Sequence, residues 1–172
     1  MNHIVLFEPE KPANVGNIIR TCMALNAELI IVGHINFDLS DKSLKRAGMD
    51  YMIGFPIKRY NSMSDFFKDH YKHKIYYVTR YSKHVYTQND YSDVTEDVYL
   101  MFGRESTGIP HDVLREHYDY TIRIPMAIDA RSLNLSNSVA IVLSEVLRQQ
   151  KFFSLATTET IKGEDFLFEE NK

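Results

Sequence analysis

The sequence predicts an α/β domain built on a mostly parallel sheet with helices on both faces. Short apolar runs alternate with segments whose apolar residues follow helical spacing, which is the order typical of β-α-β units. The connections are rich in Asp, Asn, Gly, Pro and Ser, and three of them combine glycine or small polar residues with the end of an apolar run. Ligands bind at that edge in such folds, so these three connections are the first candidates for a functional site.

Six apolar runs are predicted to form the strands, at residues 4–7, 29–32, 52–57, 75–79, 98–102 and 120–124. Five segments are predicted to be helices, at residues 15–26, 41–48, 63–71, 110–117 and 135–150. The stretch 81–95 mixes tyrosines with polar residues and is predicted to be an irregular loop.

The first and last helices carry clear core-facing stripes. The last helix has the i, i+3, i+4, i+7, i+8 spacing of a buried face, formed by Val139, Val142, Leu143, Val146 and Leu147. The apolar residues of the first helix fall within one arc, and Arg20 lies nearly opposite that arc. Arg20 therefore points away from the core.

Length and composition predict one soluble domain over residues 1–151, followed by an acidic tail over residues 152–172. The chain has 172 residues, of which 44% are hydrophobic and 25% charged. The net charge of −3 equals the balance of the tail alone, which leaves the body neutral. The single cysteine, Cys22, cannot form an internal disulfide, and no apolar run is long enough to cross a bilayer. We therefore expect a cytoplasmic protein without a membrane role.

The three candidate connections do not match common nucleotide or hydrolase motifs. They are Asn14-Val-Gly-Asn-Ile-Ile-Arg20, Phe102-Gly-Arg-Glu-Ser-Thr-Gly108, and Ile124-Pro-Met followed by Arg131-Ser-Leu-Asn-Leu-Ser-Asn-Ser138. Their glycines fit neither a dinucleotide fingerprint nor a P-loop, and the chain has no Gly-x-Ser-x-Gly elbow. His70 and His73 lack the carboxylates or thiolates of a metal site, so no metal is expected.

Several of these residues have a structural and a functional interpretation. A helix cap needs one Ser or Asn, yet five of the seven positions 132–138 are Ser or Asn, which favours a ligand-lining role for some of them. Arg20 is either a surface arginine or, with Asn14 at the helix mouth, part of a site for a phosphate or oxyanion. Glu105 is either an acid or base or, as we favour, an acceptor that holds its loop in shape.

Together the motifs resemble SPOUT-class RNA 2′-O-methyltransferases, and most closely the small tRNA (cytidine/uridine) 2′-O-methyltransferases of the anticodon wobble nucleotide. The resemblance covers roughly residues 1–151. It rests on Asn14-x-Gly-Asn-Ile-Ile-Arg20, Phe102-Gly-x-Glu-x-x-Gly108 and the third motif, with Asp41-Lys-x-Leu-x-Arg-Ala-Gly48 in addition. It implies an α/β-knot fold whose carboxyl-terminal part forms a deep trefoil knot.

The resemblance also implies S-adenosyl-L-methionine as methyl donor, a tRNA substrate, expected to be a leucine tRNA, and a homodimer. Carried over by motif, the expected cofactor contacts are Val78, Thr79, Gly103, Ile124, Ser132 and Leu133. Arg20 and Asn14 are the expected catalytic residues, and Arg20 is expected to reach the cofactor of the partner subunit. The candidates for holding tRNA phosphates are Lys42, Lys45, Arg46, Arg104, Arg123 and Arg131.

Two other classes of protein remain open on sequence alone. No motif supplies an obvious general base, and Ser144 stands where some close relatives carry a tyrosine. A binding module of the same fold that does not methylate would therefore also fit. A small-molecule enzyme on an open α/β sheet, such as a flavodoxin-like domain, would use the same loops for another phosphate-bearing ligand, but the third motif argues against it.

Overall fold

The computed structural model describes residues 1–40 and 53–168, and in these ranges the chain forms one parallel sheet. Its strands are β1 (Asn2–Phe7), β2 (Ala27–Val32), β3 (Ile57–Tyr60), β4 (Ile75–Val78), β5 (Val98–Phe102) and β6 (Thr121–Ile122). Their order across the sheet is β3-β2-β1-β5-β4-β6, and every described pairing is parallel. β1 and β5 are neighbours, so the segments that follow them begin at the same edge of the sheet. The first motif lies in the segment after β1, and the second begins at the end of β5.

Helices cover both faces of this sheet, as the sequence predicts. The α-helices of the described ranges are α1 (Pro12–Ala24), α2 (Met63–His70), α3 (His111–Glu116) and α4 (Leu135–Gln149), and short 3-10 helices lie at Tyr86–Gln88 and Tyr118–Tyr120. Pro12 opens α1, where a missing N–H costs nothing. Ser62 caps α2 by accepting a hydrogen bond from the N–H of Asp65 at 3.1 Å.

Alternate residues of the central strands pack into two separate cores. Ile4 and Leu6 of β1 belong to the larger core, which α1 and α4 cover, whereas Val5 between them belongs to the core under α2 and α3. Cys22 lies fully buried in the larger core, where burial raises the pKa of its thiol to about 12. The cysteine therefore packs as a small apolar residue.

The predicted strand at 52–57 is wrong in position. Residue 52 lies outside the described residues, Gly54 lies in a turn at a φ of +81°, and the strand begins at Ile57. This strand carries exposed Lys58 and Arg59 at the edge of the sheet, so the apolar pattern that marks buried strands is absent from it. The predicted last strand, 120–124, also shortens to two residues, because a 3-10 helix occupies Tyr118–Tyr120. The predicted helix at 41–48 lies outside the described residues.

The irregular segment between β4 and β5 contacts the chain before α4 and the end of that helix. Arg80 donates a hydrogen bond through Nη1 to the carbonyl oxygen of Arg131, ahead of the helix, at 2.6 Å. At the helix end, the N–H of Tyr91 donates to Oε1 of Gln149 at 2.9 Å. The path of the irregular segment therefore depends on contacts that are distant in sequence.

The chain after α4 turns back toward the core before it becomes exposed. Asn26, just after α1, donates a side-chain hydrogen bond to Oγ of Ser154 at 3.1 Å, and Leu155 packs against the larger core. From residue 156 to residue 168 every described side chain is exposed. None of the helices in the described ranges is long and apolar enough to cross a membrane.

A buried pair of amides fastens the beginning of the sheet to the end of α4. Asn2 donates to Oε1 of Gln150 at 2.9 Å, and Gln150 donates back to Oδ1 of Asn2 at 3.2 Å. Both side chains are less than a tenth exposed. Each amide therefore depends on the other for its hydrogen bonds.

We expect Asn2→Ala and Gln150→Ala each to lower the free energy of unfolding by about 1–3 kcal/mol, because each leaves a buried amide without its partner. The double variant should lose less than the sum of the two single losses, because the second replacement removes a group that is already unpaired. Urea unfolding of the four proteins measures this coupling. Strictly additive losses would contradict it.

Candidate cofactor and substrate site

A cleft of about 580 Å³ opens at the carboxyl edge of the sheet. Its walls come from the ends of β4 and β5, the turn that follows β5, the segment after β6 and the start of α4. Asn14 of the first motif, residues 102–108 of the second and residues 131–135 of the third all line it. The structure thus brings together three motifs that lie far apart in the chain.

All six residues expected to contact the cofactor line this one cleft. They are Val78, Thr79, Gly103, Ile124, Ser132 and Leu133. Val78 ends β4 and Gly103 follows β5, so both lie at the carboxyl ends of neighbouring parallel strands, where ligands bind in such folds. The apolar side chains of Ile124 and Leu133 add a hydrophobic surface to these polar groups, as small-molecule sites require. Direct contact of the six residues with a cofactor stays a prediction.

The second motif forms a tight turn in which a side chain at position 103 has no room. The N–H of Gly108 donates to the carbonyl oxygen of Arg104 at 2.9 Å, and Gly108 has a φ of +74°. A Cβ atom on Gly103 would lie 2.1 Å from the carbonyl carbon of Gly108 and equally near the nitrogen of Ile109. Because these neighbours are backbone atoms, the turn closes only with glycine at 103.

Glu105 ties this turn to the beginning of α1. Its carboxylate accepts hydrogen bonds from the N–H of Glu10 at 2.7 Å, the N–H of Lys11 at 3.2 Å and the side-chain amide of Asn14 at 2.8 Å. A carboxylate is also favoured electrostatically beside the N-terminus of a helix. Glu105 accepts backbone N–H bonds, as the favoured interpretation expects, but the donors belong to the start of α1 and not to its own loop.

Asn14 joins the third motif to the same network. Its Nδ2 donates to Glu105, and its Oδ1 accepts from Nδ2 of Asn134 at 2.9 Å. Both polar atoms of this buried side chain thus have protein partners. Asn14 therefore fixes the geometry of the site from within, and its predicted catalytic role remains a prediction.

The Ser/Asn-rich segment divides between the two functions proposed for it. Asn134 caps α4 by accepting hydrogen bonds from the N–H groups of Ser136 at 2.9 Å and Asn137 at 3.3 Å. Ser132 and Ser138 line the cleft instead. The cap and the cleft lining together explain why Ser and Asn are so frequent at positions 132–138, whereas a cap alone needs only one of them.

A second carboxylate, Glu10, binds the turn from the opposite direction. Ser106 donates to Glu10 through its backbone N–H at 2.8 Å and through Oγ at 2.7 Å. These hydrogen bonds, with that of the hydroxyl the stronger influence, lower the pKa of Glu10 below its usual value. Segment 8–14 thus donates hydrogen bonds to the turn after β5 and also accepts hydrogen bonds from it.

Four cationic side chains line the cleft, and two of them escaped the sequence analysis. Arg104 and Arg131 were expected there, whereas Lys11 and Arg80 were not. Arg80 lies two residues after the end of β4, next to the expected cofactor contacts Val78 and Thr79, and this position in the sequence could have identified it. Arg104 forms an ion pair with Glu8, so part of its charge is compensated within the protein.

Of the other predicted basic and catalytic residues, the two that the structure describes, Arg123 and Arg20, lie outside the cleft lining. Arg123 is not among the residues that line the cleft, and its backbone bridges to Val85. Arg20 is exposed on α1, also outside the cleft lining. Lys42, Lys45 and Arg46 lie outside the described residues. Among the described residues, no group of three or more His, Cys, Asp or Glu side chains is arranged to hold a metal ion.

Comparison with known sequences identifies relatives that align over nearly the whole chain. A protein of Geobacillus stearothermophilus, named as a candidate tRNA (cytidine(34)-2′-O)-methyltransferase, is 46% identical over 90% of this chain and 98% of its own length. The tRNA (cytidine(34)-2′-O)-methyltransferase of Escherichia coli K12 is 38% identical over 87% of this chain and 94% of its own.

Solved structures with the same fold include proteins described with substrate or cofactor. One, described as giving insight into the 2-OH methylation of C/U34 on tRNA, matches with a TM-score of 0.77 and 34% identity over 88% of this chain and 97% of that one. An AdoMet-bound rRNA methyltransferase of Sinorhizobium meliloti matches with a TM-score of 0.74 and 31% identity over 86% of this chain and 56% of that one. The predicted SPOUT fold class is therefore confirmed.

A model of one methylase family matches residues 1–144, which include all three motifs and most of α4. This match covers more than half of the chain, and the relatives named above are similar over the same region. The chain therefore belongs to the SpoU rRNA Methylase family.

Proposed function

We propose that this protein transfers a methyl group from S-adenosyl-L-methionine to the ribose 2′-oxygen of the wobble nucleotide, cytidine or uridine 34, of a tRNA. The observation that carries the proposal is the convergence of all three motifs on one cleft. The names of relatives that align over nearly the whole chain support the same reaction and the same nucleotide. Among substrates, a leucine tRNA is the one implied by the sequence resemblance.

The residues of the cleft fit the methyl donor. Thr79 and Gly103 bring polar groups to the cleft lining, and Gly103 is held there by a turn whose backbone packs against its Cα. Val78, Ile124 and Leu133 supply apolar surface for an uncharged part of the molecule. When bound, S-adenosyl-L-methionine would supply a methyl group on a positively charged sulfur. The ribose 2′-oxygen would gain this methyl group and release its proton, and the donor would leave as a neutral thioether.

Arg20 acts in this proposal from a second subunit. It lies on the exposed face of α1 and outside the cleft lining of its own chain. A homodimer would allow the guanidinium to enter the partner's cleft, where it would fix a phosphate and stabilise negative charge that develops on the 2′-oxygen. Asn14 keeps α1 in register with the cleft through its two hydrogen bonds, and so contributes by position.

Basic side chains hold the tRNA backbone in this proposal. Arg104 and Arg131 lie in the cleft lining, and Arg123 together with Lys42, Lys45 and Arg46 extend the candidate phosphate contacts. Residues 1–151 form the catalytic domain, which agrees with the family match to residue 144, and residues 152–172 form an acidic tail. Because its substrate is tRNA, we assign the protein to the cytoplasm.

Replacing Arg20 tests the reaction and the residue together. We expect Arg20→Ala to lower the rate of methyl transfer by about 100- to 1,000-fold, because one preorganised cationic donor to the developing oxyanion is lost. Arg20→Lys keeps the charge but not the planar guanidinium and should recover only part of the rate. The assay follows labelled methyl from S-adenosyl-L-methionine into tRNA from cells that lack the protein, and nuclease digestion locates the product.

Arg115 on α3, which is also an exposed helical arginine, provides the matched control, and Arg115→Ala should methylate normally. Label outside nucleotide 34 would contradict the proposed target. Cofactor binding without any transfer by the unaltered protein would favour the binding module of the same fold.

Gly103→Ala tests whether the turn after β5 holds the cofactor. The added Cβ meets backbone atoms, so the turn has to move, and we expect the affinity for S-adenosyl-L-methionine to fall at least about tenfold. Gly54→Ala is the control, because Gly54 also lies in a turn but is outside the cleft lining and has nothing within 4 Å of the added atom. Calorimetric titration measures both, and equal affinities for the two variants would remove this turn from the cofactor site.

A further inference from the structure

Tyr81 occupies an unusual position at the mouth of the cleft. Its side chain lines the cleft, yet 62% of its surface remains exposed to solvent. It follows Arg80 directly in the segment after β4, and no sequence motif of the family resemblance includes it. Its ring therefore lies where the cleft meets the surface, outside the glycine turn and the apolar residues at the base of the site.

The structure supports the ring at one side and leaves another side open. The rings of Tyr81 and His111 lie 5.3 Å apart between centroids at an angle of 82°, which is an edge-to-face contact. His111 is the first residue of α3, so a helix start holds this neighbour in place. The backbone N–H of Tyr81 donates to Oγ1 of Thr79 at 3.3 Å. An edge-to-face contact and this degree of exposure together leave at least one face of the tyrosine ring accessible.

Two cationic side chains line the same cleft as this aromatic face. The guanidinium of Arg80, the preceding residue, donates to the carbonyl oxygen of Arg131, and both arginines line the cleft. An exposed aromatic ring next to fixed positive charge is how proteins bind unpaired nucleotides, because the ring stacks on a base while the cations attract the phosphates. A methyl donor alone requires neither feature at the mouth of its site.

We propose that Tyr81 stacks on the base of the nucleotide whose ribose enters the cleft, and thereby positions that ribose for methylation. The proposal rests on the proposed function and names a positioning residue for it. Every base has a π-face, so stacking tolerates different bases. A site that recognises its nucleotide in this way accepts cytidine and uridine alike, and selects the tRNA through contacts elsewhere.

Two variants of Tyr81 separate stacking from other roles. Tyr81→Ala removes the ring and should raise the KM for an anticodon stem–loop RNA by about 5- to 150-fold, the range measured for loss of one stacked base. Its kcat and its affinity for S-adenosyl-L-methionine should stay within about twofold of the unaltered protein, because ground-state binding of the RNA is what the ring supplies. Tyr81→Phe keeps the ring and should behave as the unaltered protein does.

Tyr71→Ala is the matched control, because Tyr71 is also a highly exposed tyrosine but lies next to the start of β4, at the other end of that strand. Its KM should not change. An RNA with 2-aminopurine at the target nucleotide gives an independent signal. Its fluorescence should be quenched on binding to the unaltered protein and to Tyr81→Phe, and should remain high with Tyr81→Ala.

Each other result would overturn the proposal in a recognisable way. A parallel loss of S-adenosyl-L-methionine affinity in Tyr81→Ala would make Tyr81 a cofactor contact. Equal defects in the Phe and Ala variants would assign the effect to the hydroxyl group, and an unchanged KM and unquenched fluorescence would remove any role. Failure of the proposed function differs from all of these, because the unaltered protein would then bind and quench the RNA without transferring a methyl group.

Discussion

The carboxylate of Glu105 accepts hydrogen bonds from two backbone N–H groups and from Asn14 at the start of α1, and the geometry of the whole cleft follows from these bonds. The cleft is lined by segments that belong to no single strand or helix, so the hydrophobic core alone does not fix their relative positions. Asn14 continues the same chain of hydrogen bonds to Asn134, which caps α4. Asn14 is the central member, because its loss would break the bond to the second motif and the bond to the third motif at once.

This constraint explains why glycine and asparagine mark the motifs. The turn that carries Glu105 closes only if Gly103 has no side chain, because a Cβ there would meet the backbone of Gly108 and Ile109. An asparagine can donate and accept at once, so Asn14 connects a carboxylate on one side with an amide on the other. The orientation of α1 is fixed in this way, and with it the direction in which Arg20 leaves the surface.

Buried strands and strongly amphipathic helices could be predicted from the sequence within a few residues, because burial imposes a visible apolar pattern. The position of the edge strand Ile57–Tyr60 could not be predicted in this way, because the strand exposes Lys58 and Arg59 and so lacks the apolar pattern. The residues expected to contact the cofactor come from the family resemblance, and the structure brings them to one cleft. Arg80 and Tyr81 were missed because they belong to an irregular segment whose path depends on long-range contacts with the chain around α4.

The charge distribution shows why an aromatic contact is needed at the mouth of the cleft. The body of the chain is neutral overall, so long-range attraction to RNA is weak and the local cations of the cleft have to supply it. Arg104 already pairs with Glu8, and Arg80 already donates to a backbone carbonyl, so a phosphate that approaches either one competes with an existing partner. The net electrostatic gain per phosphate is therefore smaller than for a free arginine. Stacking on Tyr81 needs no such exchange, because the accessible part of its ring faces only water in the RNA-free protein.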